Sequence, residues 1–439
     1  METVESLEPH VLARWFPAFL RRHLDYAVVT ATVTNPRQRP TAAIVGSGMS
    51  GCLAGWRLCD THDVTVFEAG PVVNLAGRSL TVDDTIVDVP LRMIAPHYYL
   101  RMMEAIKELE VPTKPTRFDV CIFDAARQLF VTHASSWKTF WERVGYCGLL
   151  LRLTMAMVFR PPPDRKMTFG AFMRLHDLAD NEVYRLFILP QLSWMLSCDM
   201  PMVEGYPATA ILAFIRSINP LLSFAKGIVR IYPCNKVIQD ALTKRLDVRL
   251  DQCIGEIGDD RVICGQAFDV VVIATEAPAV PKILASRPWA SVFAEFQYHP
   301  SSIILHHDPA LMPREPESWR VLNVRVDEKE PACMLSVWMN AYYADDSVDS
   351  QKSPSPFQGH VIQSWNPHLR PKEDSIIQEA FFRRVVHTSD SHRLQQAVEE
   401  LQGRDGLYFA GAYCVHGLGL LEEAIKSSEV AVKAILRDA

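Results

Sequence analysis

At 439 residues, 49% hydrophobic and 22% charged, the chain has room for two or three domains or one large interleaved one, with a sizeable core. A net charge of -6 gives no reason to expect a nucleic-acid partner. The ten cysteines are scattered without a C-x-x-C pair, which argues for reduced thiols and against a zinc site or a disulfide frame.

The opening METVESLEPH is acidic and has no apolar signal core, and no apolar run reaches the ~20 residues that span a bilayer. With the reduced thiols, this predicts a cytoplasmic protein. Residues 1–40 read as an N-terminal arm. His10–Leu20, broken by Pro17 and followed by Arg21, Arg22 and His23, is expected to pack on the main domain; a membrane-surface helix is the alternative. Asn35–Pro40 is a linker into the first strand.

Thr41–Glu68 is the organising stretch. Ala42, Ala43, Ile44 and Val45 suit a strand buried on both faces. Gly46, Gly48 and Gly51 then spell G-x-G-x-x-G: one glycine for the tight turn, one for close approach of a pyrophosphate, one for close helix–strand contact. The helix that begins there aims unpaired N–H groups at phosphate. Val64, Val66 and Phe67 form a second strand, and Glu68 closes it about 20 residues on, where a carboxylate accepts from ribose hydroxyls. The whole context predicts a dinucleotide site.

Ala76-Gly77-Arg78 follows in a turn that suits an arginine reaching phosphate, or an ordinary surface turn. Thr85–Val89 reads as a strand, Tyr99–Leu109 as a helix, and Phe118–Phe123 with Leu129–Thr132 as a strand pair. Residues 135–224 are mostly helical. Within them Tyr146–Phe159 is the most apolar segment of the chain. It reads first as a core helix, then as the wall of an apolar substrate pocket, then as a membrane-dipping helix, which keeps peripheral membrane contact open. Trp194, Met195, Met200 and Met202 add soft apolar surface, by default core.

Gly227–Tyr232 and a helix over Lys236–Leu246 lead to a strand over Asp247–Leu250, and Asp269–Thr275 is a further buried strand. Ser302–His306 and Ala332–Trp338 belong to a second sheet, and Ser347–Gln358 is a loop. Leu407–Ala410 is a last strand, followed by Gly411 and a helix over Leu421–Leu436. The expected fold is α/β: a Rossmann-like dinucleotide-binding domain with a parallel sheet, interleaved with an α+β substrate domain carrying a helical insertion. Its expected pieces are 41–95, 225–285 and 400–439 for the nucleotide domain, and 96–224 and 286–399 for the substrate domain.

The blocks IVGSGMSG at 44–51, VTVFEA at 64–69, AGR at 76–78, FDVVVIAT at 268–275 and LYFAGAYCVHGLGLLEEAIKSS at 407–428 resemble the flavin-containing amine oxidase superfamily. That group includes amine oxidases, phytoene desaturases and protoporphyrinogen oxidase. LHHDPALMP at 305–313, VWMNAYY at 337–343 and SWNPHLRP at 364–371 resemble a branch of uncharacterised FAD-binding proteins within it.

The resemblance implies noncovalent FAD, since no cysteine sits at a flavin-attachment motif. It assigns Gly46, Gly48, Ser50 and Gly51 to the phosphates, and Glu68 with Ala69 to the adenosine ribose. Gly77 and Arg78 match the family's G-G-R turn, although Ala76 replaces its first glycine. Leu91, Arg92 and Met93 fall where the chain passes the flavin ring, with Pro90 in place of a glycine, and Val248 matches the residue whose backbone meets the adenine. Gly411 and Ala412 match the F-A-G turn, while Gly419, Leu420, Leu421 and Ala424 match the helix start at the flavin's pyrimidine end.

Ala412 and Tyr413 stand where many relatives have an acid. Leu420 stands near the place of a cage tyrosine, and Ser301 and Ser302 near that of a lysine; no lysine lies between Lys282 and Lys329. The equipment of amine oxidation is therefore missing. The resemblance then points to a small apolar substrate, of lipid, polyene or terpenoid kind. The expected reaction is hydride abstraction giving desaturation or oxidation, with redox-neutral double-bond isomerisation second and a non-catalytic FAD-binding protein third. Plain NAD(P) binding would leave the C-terminal flavin block unexplained. Tyr413, His416, His97 and Tyr98 are candidates to orient substrate or shuttle a proton, against packed or surface-bonded roles. Trp365 reads as core or as a wall against the ring.

Overall fold

Thr41–Val45 is the middle strand of a five-stranded parallel sheet ordered Leu407–Phe409, Val270–Ile273, Thr41–Val45, Asp63–Phe67, Asp247–Arg249. Ala42 pairs with both Val64 and Val270, and Val45 with both Phe67 and Ile273. Ala42, Ala43 and Ile44 are fully buried, as the apolar run requires of a strand covered on two faces. The computed structural model describes residues 39–438 except 76–78, 126–127, 132–136, 160–162, 219–226, 328 and 345–354; at 128–131, 137–143, 146 and 159 it describes the backbone alone. The reading of residues 1–40 as an arm thus lies outside the described residues but for its last two.

The crossover between the first two strands is the helix Met49–Leu58. Gly46 holds φ at +107°, and a Cβ on Gly51 would lie 2.0 Å from the Gly46 carbonyl oxygen, so helix and strand touch backbone to backbone. The C-terminal helix Leu421–Asp438 packs against this first helix. All these strands and helices lie within one unit, Pro40–Ala439.

A second, seven-stranded sheet runs Ile376–Val386, Gln297–His306, Ile362–Trp365, Met334–Trp338, Leu322–Arg325, Val120–Phe123, Gln128–Val131. Its longest member, Ile376–Val386, has no counterpart among the sequence-based expectations. It is an edge strand, and the charged residues Glu379 and Arg383 hide its alternation.

Among the described residues, the helices beside this second region include Trp137–Phe159, Phe169–Leu175, the π-helix Tyr184–Ile188, Leu189–Leu196, Met200–Gly205 and Ala208–Ile218. In the first, Leu149, Leu153 and Ala156 are buried, whereas Val144, Leu151, Met155 and Val158 form an exposed stripe at helical spacing. The apolar segment is thus a core helix on one face only. Among the described residues no helix is long and apolar enough to cross a membrane.

The inside of the second sheet holds a polar line. The His306 imidazole is fully buried, its Nδ1 accepts from the Asp308 N–H at 3.1 Å, and its Nε2 therefore donates to Ser364 Oγ at 2.9 Å. Ser364 shares a 2.8 Å bond with Ser336, whose hydroxyl donates to the Leu311 carbonyl. Burial holds the imidazole down at about 4, against 6.5 when exposed. The unfolded chain thus takes up a proton that the folded chain refuses. The stability due to this group is complete above pH 6.5 and falls by about 1.4 kcal/mol per pH unit as pH drops from there towards 4. Urea unfolding across this window is expected to give a His306→Asn variant a pH slope smaller by about one proton; an unaltered slope overturns the assignment.

Candidate cofactor and substrate cavity

A cavity of about 1160 Å³ runs from the glycine turn to the second sheet. At one end lie Gly46, Ser47, Gly48, Met49 and Ser50. Gly48 is the N-cap of the helix Met49–Leu58, and nothing stands within 4 Å of where its Cβ would be. The turn therefore offers open backbone at the positive end of a helix dipole. Ser47 donates to Glu68 Oε2 through its N–H (3.0 Å) and its hydroxyl (2.5 Å), and Gly70 N–H donates to Oε1 at 2.9 Å. One carboxylate thus pins the turn while Glu68 and Ala69 still line the cavity.

Leu91, Arg92 and Met93 line the middle. Their course is fixed by Gln363, which accepts from the Leu91 N–H and donates to the Asp88 carbonyl. Arg92 donates to the Leu75 carbonyl at 2.6 Å; burial lowers its pKa, and Asp88 beside it works the other way.

Gly411, Ala412, Gly419, Leu420, Leu421 and Ala424 close the opposite side. Gly419 has φ +74°, and a Cβ there would press on Val385, so the turn needs a glycine. Glu423 reaches back to the Leu420 N–H at 3.1 Å, a capping contact, and Glu422 accepts from the N–H groups of Arg101 and Met102 at the start of the helix Leu100–Glu108. Two buried acids in one turn thereby fix the cavity's floor.

The far end is apolar. Leu150, Ile188, Leu192, Phe214 and Ile215 come from the helices, and Leu335, Val337, Trp365 and Phe382 from the second sheet. Trp194 and Met195 also face this space and are not plain core. Trp365 is both buried and a wall, its indole N–H held by Gln363 at 3.0 Å.

Not all of the residues singled out from the sequence lie on the cavity wall. Tyr98 does not line the cavity; its hydroxyl donates to the Glu423 carboxylate at 3.1 Å, and its ring sits edge-on to Tyr99 and Phe214. His416 does not line it either and pairs with Thr209 at 3.1 Å. Tyr413 lines the cavity, but its ring packs against Phe293 and Phe296, and burial pushes its phenol far above the usual value. Of the four polar candidates, only His97 combines a place on the cavity wall with a side chain outside the aromatic core. Val248 lies in the edge strand beside Val66 but not on the cavity; Gln252, Cys253 and Ile254 face it instead. Gly51 serves helix–strand contact and does not reach the cavity. Gly77 and Arg78 lie outside the described residues.

Residues 44–109 match the family model for an NAD(P)-binding Rossmann-like domain. No curated protein matches the chain. Solved structures similar to it include a provisionally assigned protoporphyrinogen oxidase from Exiguobacterium sp. 255-15, at TM-score 0.66 and 14% identity, covering 91% of this chain and 99% of that one. A CLA-producing fatty acid isomerase from P. acnes gives TM-score 0.65 and 13% identity over 92% and 99%. Cyclohexylamine oxidase from Brevibacterium oxydans IH-35A gives 0.61 and 12% over 91% and 99%. At these identities the likeness shows a shared fold, with the Rossmann-like segment 44–109 at its start. In that fold the interleaving of the two sheets follows from the chain order described above.

Proposed function

We propose that this protein binds FAD noncovalently and removes a hydride from a small apolar substrate, giving desaturation or oxidation. The observation that carries the reading is the continuity of one cavity. Gly48 and Glu68 at one end, Leu421 at the other side and the apolar helices beyond all line the same space. In this reading the Gly46–Ser50 turn holds the pyrophosphate, Glu68 exchanges part of its bonding with Ser47 for the ribose hydroxyls, and Gln252–Ile254 flank the adenine. The helix start at Leu421 faces the flavin's pyrimidine end. When bound, the flavin supplies the hydride acceptor, and O₂ or another acceptor regenerates it. The chain's own residues exclude water with the walls from Leu150 to Phe382, and His97 is placed to hold the proton lost as the substrate's double bond forms.

Redox-neutral double-bond isomerisation is the second reading; the apolar walls and the likeness to the fatty acid isomerase favour it. A non-catalytic FAD-binding protein is the third. The purified protein is expected to be yellow, and substrate added without oxygen is expected to bleach it. Product formed without bleaching or O₂ uptake selects the isomerase. A colourless protein that cannot take up FAD overturns both enzyme readings. The expected site of action is the cytoplasm.

A further inference from the structure

Arg384 lies on the edge strand Ile376–Val386 and lines the apolar end of the cavity. Its Nη1 donates to the Met195 carbonyl at 2.8 Å, and its guanidinium lies 5.6 Å from the Trp365 ring centre and 5.3 Å from that of Phe382. No carboxylate pairs with it among the described residues. Its neighbour on the chain differs: Arg383 pairs with Glu276. A charged group taken out of water is normally paired, because an isolated one costs several kcal/mol. Two aromatic faces and one carbonyl meet only part of that need, since a guanidinium carries five N–H donors. Tyr99 and Arg92 also line the cavity, and both act electrostatically on Arg384.

We propose that Arg384 receives the carboxylate of an amphipathic acid whose hydrocarbon chain lies along the apolar walls. The planar fork of arginine matches a carboxylate two-to-two, and such charge-assisted bonds strengthen away from water. The hydrocarbon would fill the space bounded by Leu150, Leu192, Phe214 and Val337. The proposal rests on reading this end of the cavity as the substrate site, and it gives that substrate an acid group. The competing role for Arg384 is purely structural, tying the last turn of Leu189–Leu196 to the sheet through Met195.

The test uses the full chain and three probes of one length: oleate, methyl oleate and oleyl alcohol, each below its aggregation concentration. Binding is read from tryptophan fluorescence, because Trp194 and Trp365 line the cavity, so the readout needs no flavin. Oleate is expected to bind at least about tenfold more tightly than the ester or the alcohol, and Arg384→Gln to erase the difference while leaving ester binding unchanged. Equal binding of acid and ester by the unaltered protein overturns the proposal, as does a folded Arg384→Gln variant that keeps the preference. Should that variant fail to fold, the comparison on the unaltered protein still decides. A colourless protein that nonetheless prefers oleate defeats the flavin reading and supports this one; a yellow protein without the preference does the reverse.

Discussion

A Gly48→Val variant is expected to fold, melt close to the parent temperature and purify without colour. Gly48 has φ -68° and ψ 178°, a conformation open to any residue, and the space about its missing Cβ is empty. Loss of a glycine N-cap costs the chain no more than about 1 kcal/mol. The added isopropyl group would stand in the mouth of the turn, between the N–H groups of the helix start and whatever approaches them. If a pyrophosphate binds there, affinity for FAD should fall by at least about a hundredfold, since displacing it forfeits several charge-assisted bonds. Absorbance in the flavin bands and a thermal melt of the flavin-free protein separate the two effects. A yellow variant with unaltered affinity means that the nucleotide lies elsewhere.

Three residues on, the expected result is opposite in kind. Gly51→Ala should destabilise the protein itself, by about 3 kcal/mol or more, with or without cofactor. The new methyl carbon would sit 2.0 Å from the Gly46 carbonyl oxygen and 3.1 Å from the Ala274 side chain. The first is backbone in a strand-to-helix turn that two further strands hold in place, so the helix Met49–Leu58 must move away from the sheet. Denaturant unfolding of the flavin-free protein is the measurement. A midpoint equal to the parent's would mean that the helix shifts freely, and the account of this glycine would fail. The pair of variants distinguishes a glycine required by a ligand from one required by the fold.

The nucleotide side of the molecule was legible because its demands are local. Strand, turn, helix, strand and acid follow one another between Thr41 and Glu68, and each leaves a mark in residue type. The C-terminal turn was legible for the same reason, Gly419 being needed for its left-handed φ and Gly411 for the Tyr413 ring that lies where its Cβ would be. The substrate side was not. Its walls come from helices and strands far apart in sequence, and nothing in the local pattern of Leu150 or Val337 distinguishes a cavity wall from core. The strand carrying Phe382 and Arg384 was missed because edge charges conceal its period. Tyr98 and His416 were placed near the chemistry by sequence proximity to Met93 and Gly411, but their side chains turn to Glu423 and Thr209. Val248 is still inside its strand, and the chain reaches the cavity only once past that strand's end, at Gln252–Ile254.

The position of Leu407–Phe409 at one border of the parallel sheet has a consequence for synthesis. That strand leans on Val270–Ile273, which leans on Thr41–Val45, so the sheet cannot be completed until Leu407–Phe409 has been made, well over a hundred residues after Ile273. At ordinary elongation rates the interval between the two strands is on the order of ten seconds. Through that time Val271, Val272 and Ile273 have a bare flank, the kind of surface that seeks other strands. Ample chaperone during synthesis should therefore raise the soluble yield.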